Sequence, residues 1–572
     1  MIDEHATPKQ NFLTRRELMK GGMVAMAAAW SLPRALAKAN DETHTLRVVN
    51  VMNFIRAEEP REPMDLMKPV REQMACIKAH RLPATWLLQY DALVEGPYAE
   101  FLNAEMPADH EVGIWFEMNR RICDDAGIAW RGNPAWEWDY HVPIAYAIGY
   151  TPDERRKLAD AAMATFRRTF GREAKVVASW NMDAISAAHF SDKYAIDAFG
   201  NCRDQLATDG FTIWGAPIAA YYPNRVNAWS PALEKKNQIA TPMFRLLGQD
   251  PVYYYDNVFK YPDTMEPVWP SGRSEVFVDR FFEMMAEAPA QAIAYAQLGQ
   301  ENSFGWPEMS KAYPMQMEKL AKLRSAGSLV VETMGETGRR FKQSFAATPT
   351  QAQVMLEDPY GNQNPSQKTV WYQSRYFRAN LHFRGEEFYL RDLHVYDDRF
   401  PQPYLTDPVQ RHGIEQRMLA VLDGYHWSDD EVRSGRKGLR AMGRFVSIGA
   451  DGQETPLTMT GDPAVTETEA ALLVHVPLPG GGMLVTEFSE QEIEFRLAGG
   501  PSSLNLGLCL DWVAERSAFV QVSRKHLQYR FRDFDYSARV VRGSAARSSD
   551  GASVITITGE SGSLRLNLAQ GK

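Results

Sequence analysis

The apolar positions of this chain change texture near residue 345. Before that point, short apolar runs alternate with stretches of helical spacing. Thr45–Ile55 (TLRVVNVMNFI) predicts a buried strand, and Met67, Val70, Met74 and Ile77 predict a helix over Met67–His80. Ala84–Val94 predicts the next strand, Pro97–Met106 a short helix, Glu111–Glu117 a third strand and Asn119–Ala126 a helical turn. A loop rich in turn formers and tryptophan, Arg131–His141, precedes the amphipathic helix Asp153–Phe170, which has Pro152 in its first turn. Lys175–Trp180, Phe211–Trp214, Pro251–Tyr255 and Ala292–Gln297 read as further strands, with a helix over Ser274–Glu287. Strands alternating with helices imply parallel pairing through right-handed crossovers. Seven or eight such units in about 300 residues suit a (β/α)7-8-type barrel better than an open sheet. No GxGxxG follows the first strand, so a dinucleotide fold has no support.

Beyond residue 345 the pattern turns to short alternating strands separated by Gly, Asn, Asp and Pro turns such as Pro479-Gly480-Gly481-Gly482. Glu387–Val395, Met442–Gly449, Ala471–Pro477, Gly482–Phe488, Glu492–Leu497 and Ser563–Leu568 are among them. The expected architecture is α/β: a barrel over residues 44–345 followed by an antiparallel β-sandwich-like domain over 346–572.

The first 37 residues stand outside this reading. Thr14-Arg15-Arg16-Glu17-Leu18-Met19-Lys20, an apolar run of about a dozen residues and Ala35-Leu36-Ala37 resemble a twin-arginine signal peptide with its cleavage site. The run is too short to span a bilayer, and no later segment is long enough. A periplasmic or secreted protein, handed over by the twin-arginine machinery and not inserted in the membrane, is the expectation. Without the signal, 58 basic residues stand against 69 acidic ones. That balance, with no basic block, argues against nucleic acid as a partner. Four scattered cysteines make neither a CxxC nor a zinc spacing, and Cys202 reads as a small buried residue.

With the barrel expected, chemistry belongs at the C-terminal strand ends. Arg56, Glu58 and Glu59 follow the first strand, Asp91 or Glu95 the second and Glu117 the third. Asn181 and Asp183 follow Lys175–Trp180, Asp256 and Glu266 come after Pro251–Tyr255, and Gln300, Glu301, Asn302 and Ser303 follow Ala292–Gln297. Carboxylates, amides and aromatics dominate. Paired carboxylates cleave glycosidic bonds, flat rings stack on sugars and amides read hydroxyls. The candidate acids are Glu301, Asp204, Asp209, Glu266, Asp183 and Glu117. The candidate substrate contacts are Gln205, Trp136, Trp138, Trp180, Trp214, Tyr222, Arg225 and Asn302. Asp209 precedes Gly210 and would equally serve as a turn former. Asp204 beside Arg203 would equally make a structural pair. Both precede Phe211–Trp214, the wrong end of a barrel strand. Glu301, just past its strand, is the stronger catalytic candidate. No GxSxG elbow supports a serine hydrolase.

The motifs CRDQLATDGFTIWG, AYYPNRVNAWSPA (Ala220–Ala232), LLGQDPVYYYD (Leu246–Asp256) and AQLGQENSFGW (Ala296–Trp306) resemble an uncharacterised family of exported bacterial proteins. That family is assigned to the glycoside hydrolase/deacetylase barrel superfamily, with a C-terminal β domain. The resemblance implies a carbohydrate substrate and two chemistries. Deacetylases of the superfamily hold a metal with an aspartate and an HxxxH pair, and this chain has no HxxxH. Glycoside hydrolysis by paired carboxylates, with no cofactor and no metal, is therefore the leading expectation. Metal-dependent polysaccharide deacetylation and non-catalytic carbohydrate binding stand as the alternatives.

Overall fold

In the computed structural model, which describes residues 45–208, 211–215, 217–253, 264–361, 366–424, 443–499, 505–511, 519–547 and 554–570, seven parallel strands form the expected barrel. They are β1 (Leu46–Ile55), β2 (Thr85–Leu88), β3 (Glu111–Trp115), β4 (Val176–Ala178), β5 (Ala198–Cys202), β6 (Met243–Leu246) and β7 (Ile293–Leu298). Their spatial order is β7-β1-β2-β3-β4-β5-β6. β1 is long enough to pair twice: Leu46–Val51 lie against β7, and Met52–Ile55 lie against β2. A short strand, β8 (Val330–Glu332), occupies the space beside Val48–Asn50 below β2. Between β6 and β7 the described residues form no ladder. The gap is crossed by Gly248 N–H to Gln297 O (3.2 Å) and by Leu247 N–H to the Gln297 side chain (2.7 Å).

Alternation along each strand sorts the side chains into two layers. Val48, Met52, Phe54, Leu87, Trp115, Ala178, Trp180, Phe244, Leu246 and Tyr295 fill the barrel interior. Val49, Val51, Ile55, Trp86, Leu88, Ile114 and Val177 face the surrounding helices. The helix Pro152–Phe170 begins on a capping box made by Thr151 and Glu154 and ends at Gly171 in the left-handed region.

The chain differs from expectation where β5 gives way to β6. Phe211–Trp214 is not a barrel strand. It pairs antiparallel with Gln205–Thr208 as a hairpin that leaves the barrel, and parallel with Ile414–Arg417 from the C-terminal region. Residues 251–253 form a bend and turn rather than a strand, and 254–255 lie outside the described residues. The true fifth and sixth strands are Ala198–Cys202 and Met243–Leu246. Ala84–Val94 divides into β2 and the helix Tyr90–Val94.

The C-terminal region is two antiparallel sheets, one of ten strands and one of eight. Their facing apolar side chains, such as Val370, Leu381, Leu393 and Leu508 against Val474, Phe488, Phe495 and Leu566, form a separate core. Between the strands Glu387–Val395 and Leu419–Asp423 the chain leaves the sandwich and crosses the C-terminal rim of the barrel. This strap, residues 396–418, is held along its length. The Gln402 side chain accepts from Ala184 N–H and Ala228 N–H (both 3.0 Å). Arg155 donates to Tyr404 O (2.7 Å) and Leu405 O (3.1 Å), and Val409 N–H donates to Ile148 O (2.9 Å).

Candidate functional site

Three strand exits bring one arginine between two acids. Arg56 follows β1, Glu117 lies two residues beyond β3 and Glu301 three beyond β7. Arg56 Nη2 donates to Glu117 Oε2 at 2.8 Å, and Nη1 lies 3.3 Å from Glu301 Oε2. All three side chains are buried. The two carboxylates therefore sit on the two prongs of one planar cation.

Arg56 is fixed from several directions. The Asn302 side chain accepts from Arg56 N–H (2.9 Å) and donates to Arg56 O (2.8 Å) and Leu66 O (2.9 Å). One amide thus satisfies both backbone groups of Arg56 and ties the end of β1 to the end of β7. The guanidinium stacks over the Trp138 ring at 4.3 Å. Ser303 Oγ donates to Glu301 Oε1 (2.8 Å), and the Gln89 amide approaches Glu117 Oε2 (3.5 Å). Gly299 makes the turn out of β7 possible. Its φ is +112°, and a Cβ there would stand 2.0 Å from Met52 O.

Burial and the nearby Glu301 charge push the Glu117 carboxyl up to about 7 against the pull of Arg56. Burial disfavours the Arg56 charge, but Glu117, Glu301 and Glu59 hold it firmly protonated. Asp91 is raised to about 7 by burial, opposed by bonds from the Ala92, Ala57 and Glu58 amides. Those bonds make it the anchor of the loop after β1.

The barrel floor below the acids is aromatic. Phe54 and Trp115 stack at 4.0 Å, and Trp180 meets both edge-on at 5.2 and 5.1 Å. Around the acids several buried polar atoms have no hydrogen-bond partner among the described residues: Arg56 Nε, Gln89 Oε1, Trp138 Nε1 and Gln300 Nε2. An orphaned buried polar group costs about 1–3 kcal/mol, so several of them near the acids suit a polar ligand. An apolar crevice near Met284, Ile293, Tyr295 and Val354 lies at the other end of β7 and carries none of these acids.

A metal does not fit this set. The Arg56 cation already compensates both carboxylates, and among the described residues no three His, Cys, Asp or Glu side chains group as a metal site.

The other sequence candidates take separate places. Asp183 caps the helix Ala184–Tyr194 and pairs with buried Arg155 at 3.1 Å. Asp204 joins a charge network between barrel and sandwich: Arg245 at 2.9 Å, Arg378 at 2.7 Å, and from Arg378 to Asp392 at 2.9 Å and on to His394 at 2.9 Å. Glu266 accepts from the Trp269 indole (2.9 Å), Tyr222 donates to Phe345 O (2.8 Å), and Arg225 pairs with Asp192 on the surface (2.8 Å). Trp214 lies buried beneath Arg378, whose Cζ is 5.8 Å from the Trp214 ring centroid. Trp136 is half-buried and packs on Tyr140 at the rim. Asp209 and the side chain of Gln205 lie outside the described residues. Trp138, Trp180, Glu117, Glu301 and Asn302 are the candidates that come together. Arg56 and Gln89 join them. Arg56 is signalled in the sequence as the first polar residue after the β1 run; Gln89 has no comparable signal.

No protein-family model matches the chain, and no curated protein matches it. Solved structures do. A structure described as a candidate glycoside hydrolase/deacetylase from Parabacteroides distasonis is 14% identical with a TM-score of 0.49, covering 66% of this chain and 92% of that one. A probable polysaccharide deacetylase from Pseudomonas aeruginosa is 10% identical, with a TM-score of 0.33 over 53% and 93%. A family 4 acetyl xylan esterase from Clostridium thermocellum, in complex with a cobalt ion, is 10% identical, with a TM-score of 0.24 over 52% and 94%.

Proposed function

We propose that the barrel mouth is the active site of a glycoside hydrolase, with Glu117 as general acid and Glu301 as nucleophile. The observation that carries this reading is the pair of buried carboxylates on one guanidinium, Arg56, from the exits of β3 and β7. With its carboxyl raised to about 7, Glu117 keeps a proton to give near neutral pH. Glu301 is steadied by Ser303 and stays beside the Arg56 cation. In the reaction the bond between the anomeric carbon and the glycosidic oxygen breaks. The leaving oxygen takes the Glu117 proton, and Glu301 bonds to the anomeric carbon. Water, deprotonated by Glu117, then bonds to the anomeric carbon as the bond to Glu301 breaks, which frees the sugar and restores both carboxyls. Sharing one guanidinium keeps the acids close, which favours this retaining arrangement (carboxylates about 5–5.5 Å apart) over one that holds a water between them.

The aromatic floor and the unpartnered amides support a sugar as the substrate. The test is reducing-end release from a panel of bacterial and plant glycans by wild type, Glu117→Gln and Glu301→Gln, each with and without chelator. The expected result is a hydrolysed glycan, a loss of at least about 100-fold in each variant, and indifference to chelator. Loss of activity with chelator would replace this reading with metal-dependent deacetylation. Binding without hydrolysis would replace it with a carbohydrate-binding role.

A further inference from the structure

The strap that crosses the rim ends in the strand Ile414–Arg417, and its Gln416 meets Asn181 at the exit of β4, one strand round from Glu117. Both side chains are at least 98% buried. Gln416 Nε2 lies 3.4 Å from Asn181 Oδ1, a long hydrogen bond. What remains is Asn181 Nδ2, a donor, and Gln416 Oε1, an acceptor. Neither has a partner among the described residues. Turning both amides over leaves the same inventory of one donor and one acceptor. Asn181 is itself held: its N–H bonds Ser179 Oγ at 3.2 Å, and the preceding residue, Trp180, packs against Phe54 and Trp115 of the aromatic floor.

Two unsatisfied amides side by side in a buried position are unfavourable unless something completes them. A donor and an acceptor fixed next to each other match a sugar hydroxyl, or a vicinal pair of them, which must both give and take hydrogen bonds. A charged group would find no countercharge in this amide pair. We propose that Asn181 and Gln416 form a hydroxyl-reading subsite for a neutral sugar ring, built jointly by the barrel and the strap of the sandwich region. The inference rests on reading the mouth as a carbohydrate site. It adds that the sandwich region supplies a specificity residue to it.

The test measures binding, not turnover. Glu301→Gln protein is titrated with cellotetraose, xylotetraose, chitotetraose and maltotetraose, with tetragalacturonate as the charged comparison, following calorimetric heat and tryptophan fluorescence. The expected result is that at least one neutral tetrasaccharide binds. Gln416→Met or Asn181→Leu on the same background should then weaken it at least tenfold, and the double variant should lose little more than either single one. Unchanged affinity in both variants overturns the subsite. So does failure of every neutral tetrasaccharide to bind. If Gln416→Met does not fold, as judged by its melting transition, Asn181→Asp serves instead, since it replaces the orphan donor with an acceptor at constant shape. Retention of hydrolysis by Glu117→Gln and Glu301→Gln would defeat the proposed catalytic pair while leaving this binding result to stand or fall separately.

Discussion

Arg378, on the sandwich strand Phe377–Arg384, reaches across to Asp204, just past the end of β5, with Nη1 2.7 Å from Oδ2 and both side chains buried. The pair belongs to a chain of charges, Arg245–Asp204–Arg378–Asp392–His394, in which each member has an opposite neighbour. Removing one member leaves a buried charge uncompensated. Arg378→Met should cost about 3–5 kcal/mol of stability, read by urea unfolding. Asp204→Asn combined with Arg378→Met should cost less than the sum of the two single changes. A cost under about 1 kcal/mol for Arg378→Met would show the network to be no stronger than a surface pair.

The same network makes stability depend on pH. Burial alone would lower the His394 pKa, but Asp392 and Asp423 raise it to about 9. A group held above its unfolded value of 6.5 contributes fully below that value, and the contribution fades as pH rises through about 9. The melting temperature should therefore decline from about pH 6.5 to 9, and His394→Gln should flatten that decline. A His394→Gln protein with the wild-type slope would place the titration elsewhere.

The role proposed for Glu117 puts a second loss, of activity, on the same alkaline side. Its raised carboxyl, at about 7, must carry a proton to act as an acid. On the hydrolysed glycan kcat/KM should fall with rising pH above about 7, and Glu117→Gln should abolish that limb along with most of the rate. A profile flat through pH 8 would assign the proton to another group.

Gly299→Ala should be costly although it adds a single methyl. The backbone there is left-handed at φ +112°, and the new Cβ would meet Met52 O at 2.0 Å. A loss of about 2–4 kcal/mol is expected. Activity should drop with it, since Glu301 is placed by the turn that follows. Wild-type melting of the variant would mean that the turn relaxes freely.

The barrel was legible in the sequence where its strands are long or wholly apolar. LRVVNVMNFI and IAYAQL announce β1 and β7, and the helix Met67–His80 falls on its expected residues. AFGNC and MFRL did not announce β5 and β6. They are short, carry Gly, Asn or Arg, and owe their strand form to neighbours on both sides. The hairpin Phe211–Trp214 looked like a barrel strand because its partner, Ile414–Arg417, lies some 200 residues away in sequence. Glu301 was legible from its position past a strand. Its relation to Arg56 and Glu117 was not, since the three come from separate strand exits and only closure of the barrel brings them together. Asp204 stands in the sequence as a candidate acid or a partner of Arg203. The residues that claim it, Arg245 and Arg378, lie too far along the chain for local pattern to reveal.

Among the described residues no α-helix stands between β5 and β6. The chain there makes a hairpin and short strands, and the flank is sealed by Arg378 and by the parallel strand Ile414–Arg417. During synthesis the barrel strands leave the ribosome ahead of both parts of that seal. Until it arrives, the nascent barrel has an open side with the buried end of the charge network still bare. The barrel therefore does not complete its own flank: that step waits until the sandwich region has been made.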